Sequence, residues 1–186
     1  MRIVVGITGA SGAIYGVRLL EVLADRSDVE THLLISPPAE RVLRHETTRT
    51  PEEVASLADS YYAYDDLFAS LASGSFLTDG MVVVPCSMKT LSAIAHSHAD
   101  NLLARAADVT LKELRRLVLV VRETPLHVGH LELMAQAARL GAVILPPVPA
   151  FYHHPETVAE VVDHTVGRIL DMFRIEHALT PRWGGL

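Results

Sequence analysis

The stretch Arg2-Ile3-Val4-Val5-Gly6-Ile7-Thr8-Gly9-Ala10-Ser11-Gly12-Ala13-Ile14-Tyr15-Gly16 decides the fold. Arg2 to Ile7 is a β-branched apolar run of the kind that is buried on both faces of a parallel sheet. After Gly16, Leu19, Leu20 and Val22 to Ala24 continue an apolar stripe at helical spacing. Between strand and helix the chain must reverse, and Gly9 and Gly12 permit backbone angles and close approaches that a side chain would block. The amides opening the helix then point at whatever lies above the strand end, so the turn is either a phosphate cradle or the glycine turn that any strand-to-helix reversal favours.

The spacing is Gly-x-x-Gly, not the Gly-x-Gly-x-x-Gly of a dinucleotide-binding turn. In the dinucleotide version an acid about 20 residues further on binds the ribose. Here the second strand, Val29 to Ile35, ends instead in Ser36-Pro37-Pro38. A hydroxyl there suits a phosphate or a ring edge better than a ribose diol.

A chain of 186 residues is most simply one domain with a substantial core. Its hydrophobic share of 49% and mean hydropathy of +0.27 are high for a monomer of this size, which implies a homo-oligomer whose interfaces absorb the surplus. No apolar run approaches the roughly 20 residues needed to span a bilayer. The start runs straight into a strand without a charged and apolar leader, so the expected location is the cytoplasm, and no membrane partner is expected. The lone cysteine, Cys86, fits a reducing compartment and reads as a small buried hydrophobe. A net charge of −6 gives no general attraction for nucleic acid, so any anion site is local.

Further along, helices are expected over Ala39 to Thr47 and Pro51 to Ala58, with Glu46 between them read as a solvated surface acid. Ser60 to Leu67 holds three of the five tyrosines and reads as a packed loop or subunit contact. Met81 to Pro85 is a buried strand running into Cys86-Ser87-Met88-Lys89-Thr90, so a second strand end meets a helix start. Ser87 either faces a ligand there or only caps the helix. Leu102 to Arg116 is expected helical with Leu114 on its apolar side and Asp108 and Lys112 as a surface pair. Leu117 to Val121 is a third buried strand, ending in Arg122-Glu123-Thr124-Pro125. Charges at such a strand end are costly to desolvate unless they meet a ligand or each other. A helix from Pro125 through Leu140, capped by Gly141, leads to a last strand, Ala142 to Leu145. The proline-stiffened Pro146 to Tyr152 and a closing helix, Pro155 to Arg174, follow. Trp183 lies in a tail too short to build a core and is expected on another subunit or on a ligand. The ten histidines show no ligand spacing with a third partner, and no metal is expected.

The alternation of strands and helices implies a three-layer α/β domain, Rossmann-like and flavodoxin-like, with a mainly parallel sheet. The segments Thr8 to Ala13, Pro85 to Thr90, Arg105 to Val109, Leu111-Lys112-Glu113, Arg122-Glu123-x-Pro125-Leu126, Phe151-Tyr152-His153 and Pro181-Arg182-Trp183, in this order, closely resemble the UbiX-type flavin prenyltransferases. The run Ser75 to Met81 is most similar to the hydroxyarylic acid decarboxylase subunit branch. Only the segment His127 to Leu133 departs from the family pattern.

The resemblance implies a single FMN-binding domain over 1–186, with a tail from about 175 packing on a neighbouring subunit. It implies an enzyme that joins the dimethylallyl group of dimethylallyl phosphate to reduced FMN, through N5 to C1′ and C6 to C3′, for use by a UbiD-type decarboxylase. It also implies a dodecamer with sites at subunit contacts. By matching positions, Gly9, Ala10, Ser11, Ser36, Ser87, Met88, Lys89, Thr90 and Arg122 would hold FMN. Tyr152 and Arg168 would hold the donor phosphate, with Arg105 and Lys112 adding charge. Glu123 would move protons with Ser11 and Glu46 nearby, and Trp183 would face the allylic cation. A cysteine decarboxylase of the same superfamily is the first alternative, but its Pro-x-Met-Asn-x-x-Met-Trp segment is replaced here by Pro149-Ala150-Phe151-Tyr152. A noncatalytic flavin carrier subunit is the second.

Overall fold

The computed structural model describes residues 1–185. Leu186, the last residue of the expected tail, lies outside the described residues. Along the chain run β1 (Arg2–Ile7), α1 (Ala13–Ala24), β2 (Glu30–Ile35), α2 (Pro37–Glu46), α3 (Pro51–Ala55), β3 (Ser60–Tyr62) and, after a 3₁₀ turn at Ser70–Ala72, β4 (Gly80–Cys86). Then come α4 (Met88–Ala95), α5 (Leu102–Lys112), β5 (Arg116–Val121), α6 (Val128–Arg139), β6 (Val143–Ile144) and α7 (Val158–Met172).

The six strands form one all-parallel sheet in the order β3-β2-β1-β4-β5-β6. This is the doubly wound order, whose direction of winding reverses between β1 and β4. Alternation along β1 sends Ile3, Val5 and Ile7 to one face, with Val82, Val84, Val118 and Val120, where α1 and α7 cover them. Val4 faces the other way, with Met81, Val83, Leu117 and Leu119, under α4, α5 and α6. Both faces are dry, which is why these strands are continuous apolar runs rather than alternating ones.

The reversal is tightly built at the two central strands. Thr8 is buried; its amide and its hydroxyl both donate to the Pro85 carbonyl, at 3.2 and 2.7 Å, and its hydroxyl accepts from the Ser87 amide at 2.8 Å. Gly16 lets α1 lie directly on β4: a Cβ at this position would sit 2.6 Å from the Val84 carbonyl oxygen.

Several local expectations are corrected. Ser60 to Tyr62 is not loop but the edge strand, hydrogen-bonded to β2. The helix expected to run to Arg116 stops at Lys112, and Leu114, at φ 55° and 95% exposed, belongs to the turn rather than to the apolar side. Asp108 and Lys112 do not pair. Asp108 takes Arg105, 2.7 Å away, and Lys112 bonds to Glu113. The helix expected from Pro125 begins only at Val128, because the ring of His127 supplies the cap, accepting from the Gly129 amide at 3.1 Å. Gly141 follows that helix at φ 107°, the left-handed position glycine was expected to fill. The tail is anchored on its own chain at its start: Ile175 is buried in the core and His177 bonds to Asp171. Residues 181–185 are exposed.

Candidate active site

An open cleft of about 740 Å³ lies over the carboxyl ends of β1 and β5, walled by α1 and α7. Ile14, Val121 and the Pro146 to Pro149 segment give it apolar sides, and Ser11, Glu46, Arg122 and Glu123 bring the polar groups. A neighbouring cleft of about 820 Å³ shares Ile14, Glu46, Val158 and Val162 with it. Its arginines are already neutralised, Arg18 by Asp163 at 2.6 Å and Arg49 by Glu21 at 2.6 Å. Arg122 is in no ion pair among the described residues, so the smaller cleft holds the available cation.

The β1–α1 turn, which the sequence leaves open between a phosphate cradle and an ordinary glycine reversal, has its helix end capped by a protein carboxylate. Gly12 adopts φ 99° and stands at the N-cap of α1, but offers no side chain to the helix end. The cap comes from 34 residues away. Glu46, at the last position of α2, accepts from the Gly12 amide at 2.8 Å and the Ala13 amide at 3.2 Å. Burial opposes its charge, yet the Ser11 hydroxyl, these two amides and the Arg122 guanidinium together hold its carboxyl below the ordinary range. Glu46 is exposed, as a surface acid is expected to be, but its carboxylate is engaged by these two amides rather than free. It is an ionised carboxylate fixed at the helix end, beside Ser11 and in the field of Arg122.

Tyr15 adds a residue that sequence reading missed. It projects from α1 into the same cleft, with Thr165 of α7 beside it. Burial pushes its pKa up, against the pull of Thr165 and Arg122. Its aromatic type at the third position of α1 is the only local signal, and that is equally the signal of a core residue. Thr8 was likewise missed as the bolt between strand ends. A hydroxyl closing an otherwise apolar strand was the visible sign.

Glu123 lines the cleft but is exposed, and its carboxylate accepts from the Thr124 amide at 2.9 Å. Within this chain the desolvation cost does not arise for Arg122 or Glu123, and they form no ion pair with each other among the described residues, because residues 122–128 after β5 are all exposed. Ser36 is buried and caps α2, accepting from Ala39 at 3.4 Å. Ser87 caps α4, accepting from the Thr90 amide and donating to the Thr90 hydroxyl at 3.1 Å. Gly9 presses on α2, a Cβ there meeting that of Pro38 at 2.5 Å. Ala10 is buried and Met88 half-buried. Lys89 and Thr90 open onto a separate cleft with Tyr64, His96 and Asn101.

A second group gathers around α7. The Tyr152 hydroxyl meets His164 Nε2 at 3.2 Å, and Trp183 lies edge-on to the Tyr152 ring at 5.4 Å between centroids. Arg168, half exposed one turn after His164, donates to Asp171 at 2.9 Å. Tyr152, Arg168 and Trp183 are thus brought to one region, though none of them lines the cleft. Arg105 and Lys112 are not brought to it either. Arg105 donates to the Ala72 carbonyl and to Asp108 on the opposite face of the sheet, and Lys112 is occupied by Glu113.

Residues 1–172 match the family model described as Flavoprotein. The chain is 59% identical over 186 residues to Flavin prenyltransferase UbiX of Escherichia coli K12, covering 99% of this chain and 98% of that protein. It is 54% identical over 184 residues to Flavin prenyltransferase LpdB of Lactiplantibacillus plantarum, covering 99% and 98%. Among solved structures, AnUbiX (PadA1) in complex with FMN and dimethylallyl pyrophosphate superposes with a TM-score of 0.97 at 50% identity, over 100% of this chain and 98% of that one. A dodecameric FMN-dependent UbiX-like decarboxylase from Escherichia coli O157:H7 does so at 0.98 and 51%, over the whole of both. The FMN-dependent cysteine decarboxylase TvaF is similar in fold alone, at 14% identity and a TM-score of 0.63 over 77% of this chain and 88% of that one.

Proposed function

The chain belongs to the flavoprotein family, in its branch of UbiX-type flavin prenyltransferases, and on that premise we propose how its cleft carries out the transfer. The enzyme is a prenyltransferase that joins a dimethylallyl group to reduced FMN, making prenylated FMN. The observation that supports this cleft as the place is Arg122, an unpaired cation standing with Glu123, Ser11 and Glu46 at the switch point of the sheet. Its volume of about 740 Å³ falls in the ordinary range of ligand sites, ~300–1,000 Å³, and its apolar walls suit a flat ring system. The residues present therefore fit a flavin nucleotide.

Reduced FMN supplies nucleophilic ring atoms; the chain supplies position, charge and protons. In this reading Ser11 and Arg122 hold the flavin nucleotide from within this cleft, Gly9, Ala10, Ser36, Ser87 and Met88 act from the neighbouring strand ends and helix starts, and Lys89 and Thr90 from the separate cleft they open onto. Tyr152 and Arg168 bind the phosphate of the donor and stabilise it as it departs. Glu123 moves the proton that ring substitution releases, helped by Ser11 and the fixed carboxylate of Glu46. Trp183 offers its ring face to allylic positive charge.

Arg105 and Lys112 reach such a site only across a subunit contact. A dodecamer would provide that contact and would cover the exposed Leu126, Val128, Leu131 and Phe151. The exposed end of the tail would pack on a neighbour in the same assembly. Among the described residues no helix is long and apolar enough to cross a membrane. The product would pass to a UbiD-type decarboxylase in the cytoplasm. The deciding experiment is anaerobic incubation of the protein with reduced FMN and dimethylallyl phosphate, then mass spectrometry of the extracted flavin. A mass gain of one dimethylallyl group is expected, and unmodified FMN after complete consumption of neither substrate would leave the carrier reading standing instead.

A further inference from the structure

Beyond the residues assigned so far, the cluster on α7 contains two histidines with an unusual arrangement. His164 and His153 stack in near-parallel rings, 5.0 Å between centroids at 11°. Both ring nitrogens of His153 are buried without a hydrogen-bond partner, so that residue meets its neighbours with ring faces and edges only. His164 instead spends its Nε2 on the Tyr152 hydroxyl, 3.2 Å away. That hydroxyl has a single proton. Given to His164, it leaves only lone pairs facing an approaching phosphate; kept from His164, it is free to be donated to the anion.

We propose that His164 is the positioning residue for Tyr152: it donates from Nε2 to the Tyr152 oxygen, directs the hydroxyl proton at the donor phosphate, and takes up a proton on Nδ1 when that phosphate binds. This rests on the assignment of Tyr152 to the donor phosphate. The uptake balances simply, one proton from solvent entering Nδ1 as a dianionic ester arrives, with no bond between heavy atoms made or broken. Without the ester the cation is disfavoured. Burial first, then His153 and Arg168, press the pKa of His164 below the ordinary histidine value, while Asp171 acts in the opposite sense. From the packed elements the groups around it are Tyr152 and His153 on the connection before α7, and Arg168 and Asp171 on α7 itself. From the tail, His177 and Arg182 reach Asp171. A phosphate near Arg168 and Tyr152 shifts this balance toward the charged ring.

The test compares wild type with His164→Gln, His164→Phe and Tyr152→Phe, varying dimethylallyl phosphate at saturating reduced FMN between pH 6.5 and 8.5. His164→Phe should raise the donor KM roughly threefold to tenfold with kcat changed less than about twofold. His164→Gln keeps a donor group but cannot titrate. It should match wild type at pH 8.5 and fall behind as pH drops, and calorimetry in buffers of different ionisation enthalpy should show smaller proton uptake. The ester's own second ionisation, near pH ~6, is common to all variants and cancels in the comparison. A wild-type KM in His164→Phe, alongside a raised KM in Tyr152→Phe, overturns the inference and leaves the donor pocket standing. An unchanged KM in Tyr152→Phe overturns both. A wild-type pH profile in His164→Gln removes the proton uptake.

Discussion

Glu46 Oε2 stands 2.8 Å from the amide nitrogen of Gly12, so the end of one helix caps the beginning of another across 34 residues of chain. The positive end of α1 is thereby committed to a protein carboxylate, and a ligand phosphate must find its charge elsewhere. Arg122 lines the same cleft and is in no ion pair among the described residues.

Glu46→Gln should lower stability by about 1 kcal/mol at pH 7, the scale of a lost helix cap with its charge. The sign of its pH dependence is fixed. The folded pKa is depressed, so the stabilisation is complete above the unfolded value of about 4.3 and is lost as pH falls through the lower folded value. Urea midpoints of the two proteins should differ at pH 7 and converge near pH 3. A constant gap would detach the effect from the carboxylate.

Glu123→Gln should slow prenyl transfer on the order of a hundredfold or more while FMN affinity stays within about threefold, because proton transfer acts in the transition state. Flavin fluorescence titration and single-turnover assays on one preparation give both quantities. Exposure of Glu123 in the isolated chain makes a large stability effect unexpected.

Arg168→Ala should weaken the phosphate donor about tenfold and leave FMN titration unchanged, since a charge-assisted contact is worth roughly 1.5 to 3 kcal/mol. An exposed helix charge of no function would cost ~0 to 1 kcal/mol of stability and nothing in turnover. Steady-state kinetics in the donor decides between these outcomes.

Lys112→Ala and Glu123→Gln, each slowed when assembled alone, should regain part of the lost activity when unfolded together and reassembled. Lys112 lies with Glu113 on α5, away from the cleft that Glu123 lines, so an intact site in a mixed oligomer can draw one residue from each variant. Activity no greater than the sum of the separate samples would place both residues in one subunit's site.

Gly16→Ala should destabilise by about 1 to 3 kcal/mol, because its methyl would meet the Val84 carbonyl at 2.6 Å and a β4 backbone atom cannot swing aside. Thermal unfolding by circular dichroism measures it, and a wild-type midpoint would mean that α1 can lift off the sheet at no cost.

The order of strands and helices was legible because its signals are local: the β-branched runs of β1, β4 and β5, and the serines that do cap α2 and α4. The strand ends that build the cleft followed from the same runs. Glu46 is exposed as read, but its capping of α1 was not legible, because its partners are backbone amides distant in sequence and no pattern around residue 46 announces them. Edge strand β3 was missed because three residues carry no periodicity, and tyrosines suit a half-covered edge as well as a loop. Arg105 and Lys112 enter only through the resemblance, and their own surroundings in the fold hold ordinary surface pairs.

The burial of Cys86 has a practical consequence. It lies wholly under the sheet's covering helices, and burial drives its thiol pKa upward, so the protein presents no reactive sulfur to solvent. A cysteine introduced at one exposed position away from the site, such as Phe68, would be the sole target for a maleimide dye. Fluorophores could then be attached one per subunit without first removing a native thiol, and energy transfer between them would follow assembly in real time.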